Sequence, residues 1–346
     1  MDRLDEDISA LLEVARRRPR RRSELLRLGV LDNDLRRLVR RGHLQLVRKH
    51  YLDGAADPEL ARIICAQAAY PGSAISHFTA ARLADLRTWT DRRRRGAPFV
   101  DAVWLTRPPT ANRNQRREDV VLRRAGLSTG DLTRQYGFLV TSLARTVVDL
   151  ARELPLAEAL VTIDHALRID VTKTELQAVL DRQYRWPGAA KARTAISLGD
   201  PRAESALESI ARAAFAAAGL PPPVLQASFW DGSRWMPERV DLWWPGFRTV
   251  GEADGLAKFD ADTFEERRRL WRRSHQRDQR LSDLNVELIH FGWEDVVGDA
   301  TALVERFRSA FQRGKRRTGD EPLWRAPDPT DPDLWLTSHT WPAASA

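Results

Sequence analysis

A short predicted hairpin near the C-terminus constrains the fold of this chain more than any other feature. Two strand-like segments flank the turn Pro245-Gly246, and they read RVDLWW and VGEADG. Each carries one acid among apolar residues, Asp241 in the first and Glu252 in the second. Because side chains alternate along a strand, both carboxylates share one face if the turn is centred on Pro245-Gly246 or on Gly246-Phe247. They are diagonal neighbours in the first alignment and directly opposite in the second, whereas a longer loop or a bulge would separate them.

Two carboxylates at this separation can share a divalent cation. Mg²⁺ and Mn²⁺ take oxygen ligands from a few carboxylates plus water, and such a metal activates water and stabilises charge on a phosphoryl oxygen. We therefore predict a Mg²⁺ or Mn²⁺ site formed by Asp241, Glu252 and Asp254, with Glu208 of the preceding helix at its rim. Each of these acids could instead be ordinary surface charge.

The elements around the hairpin predict a C-terminal α/β domain over residues 200–313. Helical and strand-like periods follow each other there in the order αβββαβα. After Gly314 the sequence becomes polar and rich in proline, which predicts a flexible tail over residues 314–346. The predicted elements are the helix Glu204–Ala218, the strands Val224–Trp230, Trp235–Trp244 and Arg248–Glu252, the helix Asp262–Leu284, the strand Val286–Phe291 and the helix Trp293–Arg313.

Residues 1–56 predict three short helices followed by a hairpin. Apolar residues at helical spacing place a first helix at Asp5–Ala15, Ser23 precedes a second at Glu24–Leu28, and Asp32 begins a third. The alternating segment His43–Tyr51 follows as a short hairpin. This is the order of a winged helix-turn-helix, in which the third helix enters the major groove and the wing contacts phosphates.

The outer face of the third helix and the wing carry the predicted DNA contacts. Arginine side chains placed there can reach the phosphates of a duplex. The alternative is a small packing unit whose arginines are only solvated, or a helix-turn-helix that contacts protein. The predicted DNA-binding residues are Asn33, Arg36, Arg37, Arg40 and Arg48.

Residues 57–199 predict a middle domain of mixed helices and strands without a catalytic constellation. His77 starts a helix and has no candidate partner, so we expect it to be structural. The lone Cys65 lies in an apolar stretch, and a single cysteine excludes both a disulfide framework and a cysteine-based zinc site within the chain.

The charge of the chain favours a polyanionic partner. Lysine and arginine number 56 against 48 acids, which gives a net charge of +8. Nucleic acid is the first candidate for such an excess, and a bias that serves solubility is the alternative. The sequence contains no recognisable signal peptide or membrane-spanning run, and its cysteine content fits a reducing compartment, so we expect a cytoplasmic protein.

The segment from Ser205 to Val296 resembles the very-short-patch-repair-like branch of the PD-(D/E)XK nuclease superfamily. The matching pieces read SALES, AGLPPPVLQ, RVDLWWP, VGEADG, RDQRL and ELIHFGWEDV. The resemblance implies a metal-dependent DNA endonuclease fold. The acids that match its catalytic and metal-binding positions are Asp241, Glu252 and Glu208, and Gln226 matches a polar strand position.

The chain departs from the nuclease pattern at one catalytic position. The pattern places a lysine two residues after the glutamate, and this chain has Asp254 there. Lys258 could stand in as the residue that activates water, or it could be a solvated loop lysine. Arg277 and Arg280 of the following helix could bind phosphates or only solvate that face.

The N-terminal two-thirds resembles the AbiEi-type antitoxins and regulators of type IV toxin–antitoxin systems. The pieces that carry this resemblance read RRSELLRLGVLDNDLRRLVRRGHLQLVRKHYL, ISHFTAARLADL, VWLTRPP and YGFLVTSLARTVVDL. The resemblance implies a winged helix joined to an α/β domain, repression of the protein's own promoter, and a toxin partner of the nucleotidyltransferase type. The family pattern has glycine before the wing tyrosine, whereas this chain has His50.

These patterns predict the fold class α/β (α+β). We expect an N-terminal winged helix-turn-helix, a middle mixed α/β domain and a C-terminal restriction-endonuclease-like domain. Three functions fit the sequence. The first is a DNA-binding regulator or antitoxin whose C-terminal domain keeps a nuclease fold, the second an active metal-dependent DNA endonuclease directed to double-stranded DNA by its winged helix, and the third a scaffold that binds partner proteins.

Overall fold

The computed structural model describes residues 19–110, 115, 116, 119–135, 137–254, 264–331 and 333–341. Over these residues the chain is a mixed α/β protein with three β-sheets, which confirms the predicted fold class at that level. The predicted helix Asp5–Ala15 and the candidate Lys258 lie outside the described residues. Among the described residues, no helix combines the length and apolar character needed to cross a bilayer.

The chain divides into two compact units whose limits differ from the predicted domain boundaries. The first unit takes residues 1–85 and 98–146, and the second takes residues 86–97 and 147–346. The predicted boundaries after residues 56 and 199 therefore fall inside units. The strands of the predicted middle domain belong to the first unit, and most of its later helices belong to the second.

The N-terminal part of the first unit is a pair of helices packed on a three-stranded antiparallel sheet of order β1-β3-β2. Leucines three residues apart in the second helix, Leu35 and Leu38, face a core shared with Leu25, Leu44 and Tyr51. The elements are β1 (Arg20–Arg21), α1 (Arg22–Arg27), α2 (Asp32–Arg40), β2 (Leu44–Val47) and β3 (His50–Asp53).

The helix α1 begins two residues earlier than the sequence predicted. The backbone N–H of Arg21 donates a hydrogen bond of 2.7 Å to the Glu24 carboxylate, which satisfies a donor at the start of the helix. Ser23, predicted to precede the helix, therefore lies inside its first turn.

The rest of the first unit is a six-stranded mixed sheet of order β6-β7-β5-β4-β9-β8 with helices packed on it. His77 is buried, with its ring centroid 5.1 Å from that of Trp104, as expected for a structural residue. Cys65 is buried too. The elements are α3 (Pro58–Ala69), β4 (Ala74–Ile75), α4 (His77–Leu83), β5 (Val103–Arg107), β6 (Gln115–Arg116), β7 (Val120–Arg124), β8 (Leu132–Gln135) and β9 (Phe138–Thr141).

A run of helices opens the second unit and leads to its sheet. The helix α5 (Leu143–Glu153) crosses the division between the units. The helix α9 (Ala206–Ala217) begins at Ser205, whose side chain accepts a hydrogen bond from the backbone N–H of Glu208. Between them lie α6 (Leu156–Ile169), α7 (Lys173–Arg182) and α8 (Ala189–Leu198).

The sheet of the second unit has six strands in the order β13-β12-β11-β10-β14-β15. Apolar residues form a core on each of its faces, and its central strands are therefore buried along most of their length. Its elements are β10 (Val224–Phe229), β11 (Val240–Trp244), β12 (Thr249–Ala253), α10 (Phe264–Asp283), β13 (Glu287–Phe291), α11 (Trp293–Val296), α12 (Thr301–Arg316), β14 (Trp324–Pro327) and β15 (Trp335–Thr337).

The segment predicted to be a flexible tail contributes two strands to this sheet, so that prediction is wrong for the described residues. The strand β14 pairs with β10, and β15 pairs with β14. Trp324 and Ala326 bury their side chains in the core, and the guanidinium of Arg325 lies over the ring of Trp335 at 4.6 Å. These contacts order a segment whose polar composition alone suggested disorder.

Candidate functional site

The helix α2 presents a polar face opposite its buried leucines. Asn33, Arg36 and Arg40 are exposed, and Arg37 is half-buried. All four were predicted as DNA contacts. Because Leu35 and Leu38 fix the inward face, the helix cannot rotate these side chains away without losing its core.

Acids in the first turn of α2 pair with arginines of α1 and of α2 itself. The carboxylate of Asp32 binds Arg22 at 2.6 Å and Arg36 at 2.9 Å, and Asp34 binds Arg37 at 3.1 Å. The hydrogen bond from Arg22 is the largest cause of the lowered pKa of Asp32. Exposed pairs of this kind contribute little to stability, so a phosphate can replace the carboxylate at small cost.

The turn between β2 and β3 holds two residues in the left-handed region. Arg48 and Lys49 have φ values of 50° and 64°, and they join paired Val47 and His50. A two-residue turn with positive φ at both positions matches the twist of a hairpin but normally uses asparagine and glycine. The strain costs about 1–2 kcal/mol per residue.

Arg48, predicted to contact DNA, is held by Asp119, the residue before β7. Its Nη1 and Nη2 atoms donate hydrogen bonds of 2.9 and 2.7 Å to Oδ2 of Asp119. Asp119 is more exposed than Arg48. Arg48 is thus tethered to a residue outside the segment that forms α1, α2 and the β2–β3 hairpin.

The hairpin of the second unit adopts the second of the two alignments considered from sequence. Leu242 pairs with Gly251 and Trp243 with Val250, so Asp241 lies opposite Glu252. The turn is centred on Gly246-Phe247. Glu252 is fully buried, and Asp241 is half-buried.

The cation beside these two acids is an arginine. Nη2 of Arg277 lies 2.5 Å from Oε1 of Glu252 and donates a 2.9 Å hydrogen bond to the carbonyl oxygen of Arg239. Burial lowers the pKa of Arg277, but the attraction and hydrogen bond of Glu252 and the charge of Asp241 outweigh it and raise that pKa. Asp241 itself accepts a 2.8 Å hydrogen bond from the backbone N–H of Ala253.

Glu208 enters the same cluster from α9. Burial, and next the charge of Asp241, raises the pKa of Glu208 to about 7. Nε2 of Gln226 donates to Oε2 of Glu208 at 3.2 Å. Gln226 has a φ of 56°, a strained value that its buried surroundings must hold in place.

Asp254, at the position of the nuclease lysine, binds a histidine. Its Oδ2 atom lies 2.8 Å from Nδ1 of His290, and Oδ2 of Asp278 lies 3.3 Å from Nε2 of the same ring. The hydrogen bond with Asp254 is the largest cause of the raised pKa of His290. Asp254 is thereby linked to β13 and α10 through one imidazole.

The residues present do not fit the predicted metal centre. Among the described residues, no group of three or more histidine, cysteine, aspartate or glutamate side chains could hold a metal ion. The described contacts of Glu252 and Asp241 are with Arg277 and the backbone of Ala253. The Mg²⁺ or Mn²⁺ site stays a prediction that this geometry does not support, and Lys258 lies outside the described residues.

Sequence reasoning treated Arg277 as a phosphate contact or a solvated side chain and missed its place in the cluster. The sequence did contain a signal that Arg277 faces inward. Arg277 precedes the buried Leu281 by four residues, which places both on the inward face of α10. Arg280, in contrast, is exposed and pairs with Glu238.

Comparison with known proteins relates part of the chain to antitoxins. Two relatives, the uncharacterized proteins MT2308 and Rv2248 from two strains of Mycobacterium tuberculosis, are each 38% identical over 128 residues. This match covers 36% of the chain and 46% of each relative, so it spans less than half of their length. Residues 75–195 match the family described as AbiEi antitoxin C-terminal domain.

Proposed function

We propose that this protein is a DNA-binding regulator of a toxin–antitoxin system that acts in the cytoplasm on double-stranded DNA. The observation that carries the proposal is the face of α2, where Asn33, Arg36 and Arg40 are exposed opposite buried leucines. The match of residues 75–195 to an antitoxin domain supports the biological setting. The net charge of +8 supports a polyanionic partner.

The recognition mode follows from the arrangement of α2 and the β2–β3 hairpin. A helix of this width fits the major groove, where Asn33, Arg36 and Arg40 can reach base edges or phosphates. Arg36 and Arg37 exchange their partners Asp32 and Asp34 for phosphate oxygens. Since each phosphate contact releases counterions, binding weakens as salt rises.

The partner that we propose is a toxin of the nucleotidyltransferase type. Its support is the resemblance to AbiEi-type proteins and the matched antitoxin domain at residues 75–195. An antitoxin that also binds its own promoter would link the amount of antitoxin–toxin complex to the transcription of the antitoxin gene.

The second candidate is the metal-dependent DNA endonuclease predicted from the C-terminal motifs. The position of Asp241 opposite Glu252 favours it. The contact of Arg277 with Glu252 disfavours it. Nicking of supercoiled plasmid that requires Mg²⁺ or Mn²⁺ and disappears in Asp241→Ala would establish this function in place of regulation alone.

The proposed regulator is tested by fluorescence anisotropy with a labelled duplex taken from upstream of its own gene. We expect binding that Arg40→Ala weakens and that unlabelled random duplex competes poorly. Arg193→Ala is the matched control, because Arg193 is an exposed arginine of α8. Equal affinity of the wild type and Arg40→Ala, or no binding to either duplex, would refute the proposal.

A further inference from the structure

Polar residues form one row across four neighbouring strands of the second unit. Leu225 pairs with Leu242 and Ala227 with Val240, which puts Gln226 at the level of Asp241, where the positive φ of Gln226 interrupts the pairing. The next register places Asp241 opposite Glu252, and Glu252 pairs directly with His290. We call Gln226, Asp241, Glu252 and His290 the acid row. The proposed DNA-binding function uses none of these residues.

The acid row receives its positive charge from α10. Glu252 is 0% exposed, and a buried carboxylate is expensive unless a cation and hydrogen bonds compensate it. Arg277 supplies both, because Nη2 reaches Oε1 of Glu252 at 2.5 Å and the carbonyl of Arg239 at 2.9 Å. The guanidinium therefore ties α10 to β12 and to Arg239, the residue before β11.

Asp241 and the acids around the row also have protein partners that compete with a metal. Asp241 accepts the N–H of Ala253, and the carboxylate of Glu208 accepts the N–H of Glu204 and the amide of Gln226. Asp254 and Asp278 share the ring of His290. A divalent cation needs several oxygen atoms that can turn toward it together, along with water.

We infer that Arg277 is the resident cation of the acid row and takes the place of a divalent metal. The guanidinium of Arg277 then joins the strands of this sheet to α10, and Mg²⁺ and Mn²⁺ do not bind at the acid row. Glu252 and Asp241 serve here as the counter-charges of Arg277, and Asp254 and Asp278 serve as the partners of His290.

The test is a Mn²⁺ titration of the full chain, followed by the electron paramagnetic resonance signal of free Mn²⁺ and by the melting temperature Tm. We expect the wild type to show no saturable binding up to about 1 mM, the weak end of biological cation sites. Arg277→Gln should lower Tm by about 10 °C, and Mn²⁺ should restore part of that loss. The matched control is Arg280→Gln, because Arg280 is an exposed arginine of the same helix, and it should show neither effect.

Three results would overturn the inference. The first is one Mn²⁺ bound per wild-type chain and lost in Glu252→Gln. The second is a folded Arg277→Gln variant that gains no response to Mn²⁺. The third applies if Arg277→Gln does not fold. The double variant Arg277→Gln/Glu252→Gln should then be at least as stable as Glu252→Gln alone, because both partners of the ion pair are neutral. A double variant that is less stable than Glu252→Gln would overturn the inference.

Discussion

Replacing Glu208 by glutamine should change how the stability of this protein depends on pH. Glu208 is 3% exposed and lies near the charge of Asp241. Burial and that charge disfavour its ionised form and raise its pKa to about 7 from an ordinary value of 4.5. The folded protein therefore holds a proton in this range of pH that the unfolded chain releases.

The sign and the size follow from the two pKa values. The stability that protonated Glu208 confers is fully present below pH 4.5 and is lost as pH rises through about 7. The difference corresponds to about 3 kcal/mol in total, and most of it falls between pH 5 and pH 8. Glutamine carries no charge, so the variant should lack this loss.

Urea unfolding followed by tryptophan fluorescence measures the effect, since Trp243 and Trp244 are buried in the same sheet. The free energy of unfolding should fall between pH 5 and pH 8 by about 2–3 kcal/mol more in the wild type than in Glu208→Gln. A smaller fall above pH 6.5 should persist in both proteins, because the pKa of His290 is also raised. EDTA in the buffer keeps stray metal from the acids.

The control for this experiment is Glu305→Gln, a change at an exposed glutamate of α12. Its pH dependence should equal that of the wild type. Parallel profiles of the wild type and Glu208→Gln would refute the reasoning, because they would mean that Glu208 has the same pKa in the folded and unfolded chains.

Three further changes test the β2–β3 hairpin and the C-terminal strands. Lys49→Gly should raise the free energy of unfolding by about 1 kcal/mol by relieving positive φ, whereas Lys49→Ala should not, and equal values in urea would contradict the strained β2–β3 turn. Asp119→Asn should release Arg48 and tighten DNA binding about two- to five-fold in anisotropy titrations, and unchanged affinity would mean that the pair does not restrain the β2–β3 hairpin. Trp324→Ala should cost about 3–5 kcal/mol in urea unfolding, and a loss no greater than that of the exposed Leu323→Ala would show β14 to be undocked.

Local patterns predicted much of the fold. The spacing of Leu35 and Leu38 fixed which face of α2 is buried, and alternation placed Asp241 and Glu252 on facing strands. Both predictions depend on the repeat of side-chain directions, every two residues along a strand and every three to four along a helix, which can be seen directly in the sequence. The choice between two hairpin alignments needed the geometry of the turn, which residue types alone do not determine.

Long-range contacts explain what the sequence did not reveal. Arg48 and Asp119 are 71 residues apart, and Arg277 and Glu252 are 25 apart on different elements. Whether an arginine is solvated at the surface or neutralises a buried acid depends on tertiary packing, which the local spacing of residues does not encode. The same holds for Trp324, whose apolar partners lie on β10 and in the segment after β15.

The salt dependence of DNA binding tests the central claim most directly. The logarithm of affinity against the logarithm of salt concentration should give a straight negative slope for the wild type. Replacing both Arg36 and Arg37 by alanine should weaken binding and make the slope shallower by up to about 2, while Arg193→Ala leaves it unchanged. Wild-type affinity and slope in the double variant would contradict the assignment of α2 as the DNA-binding helix.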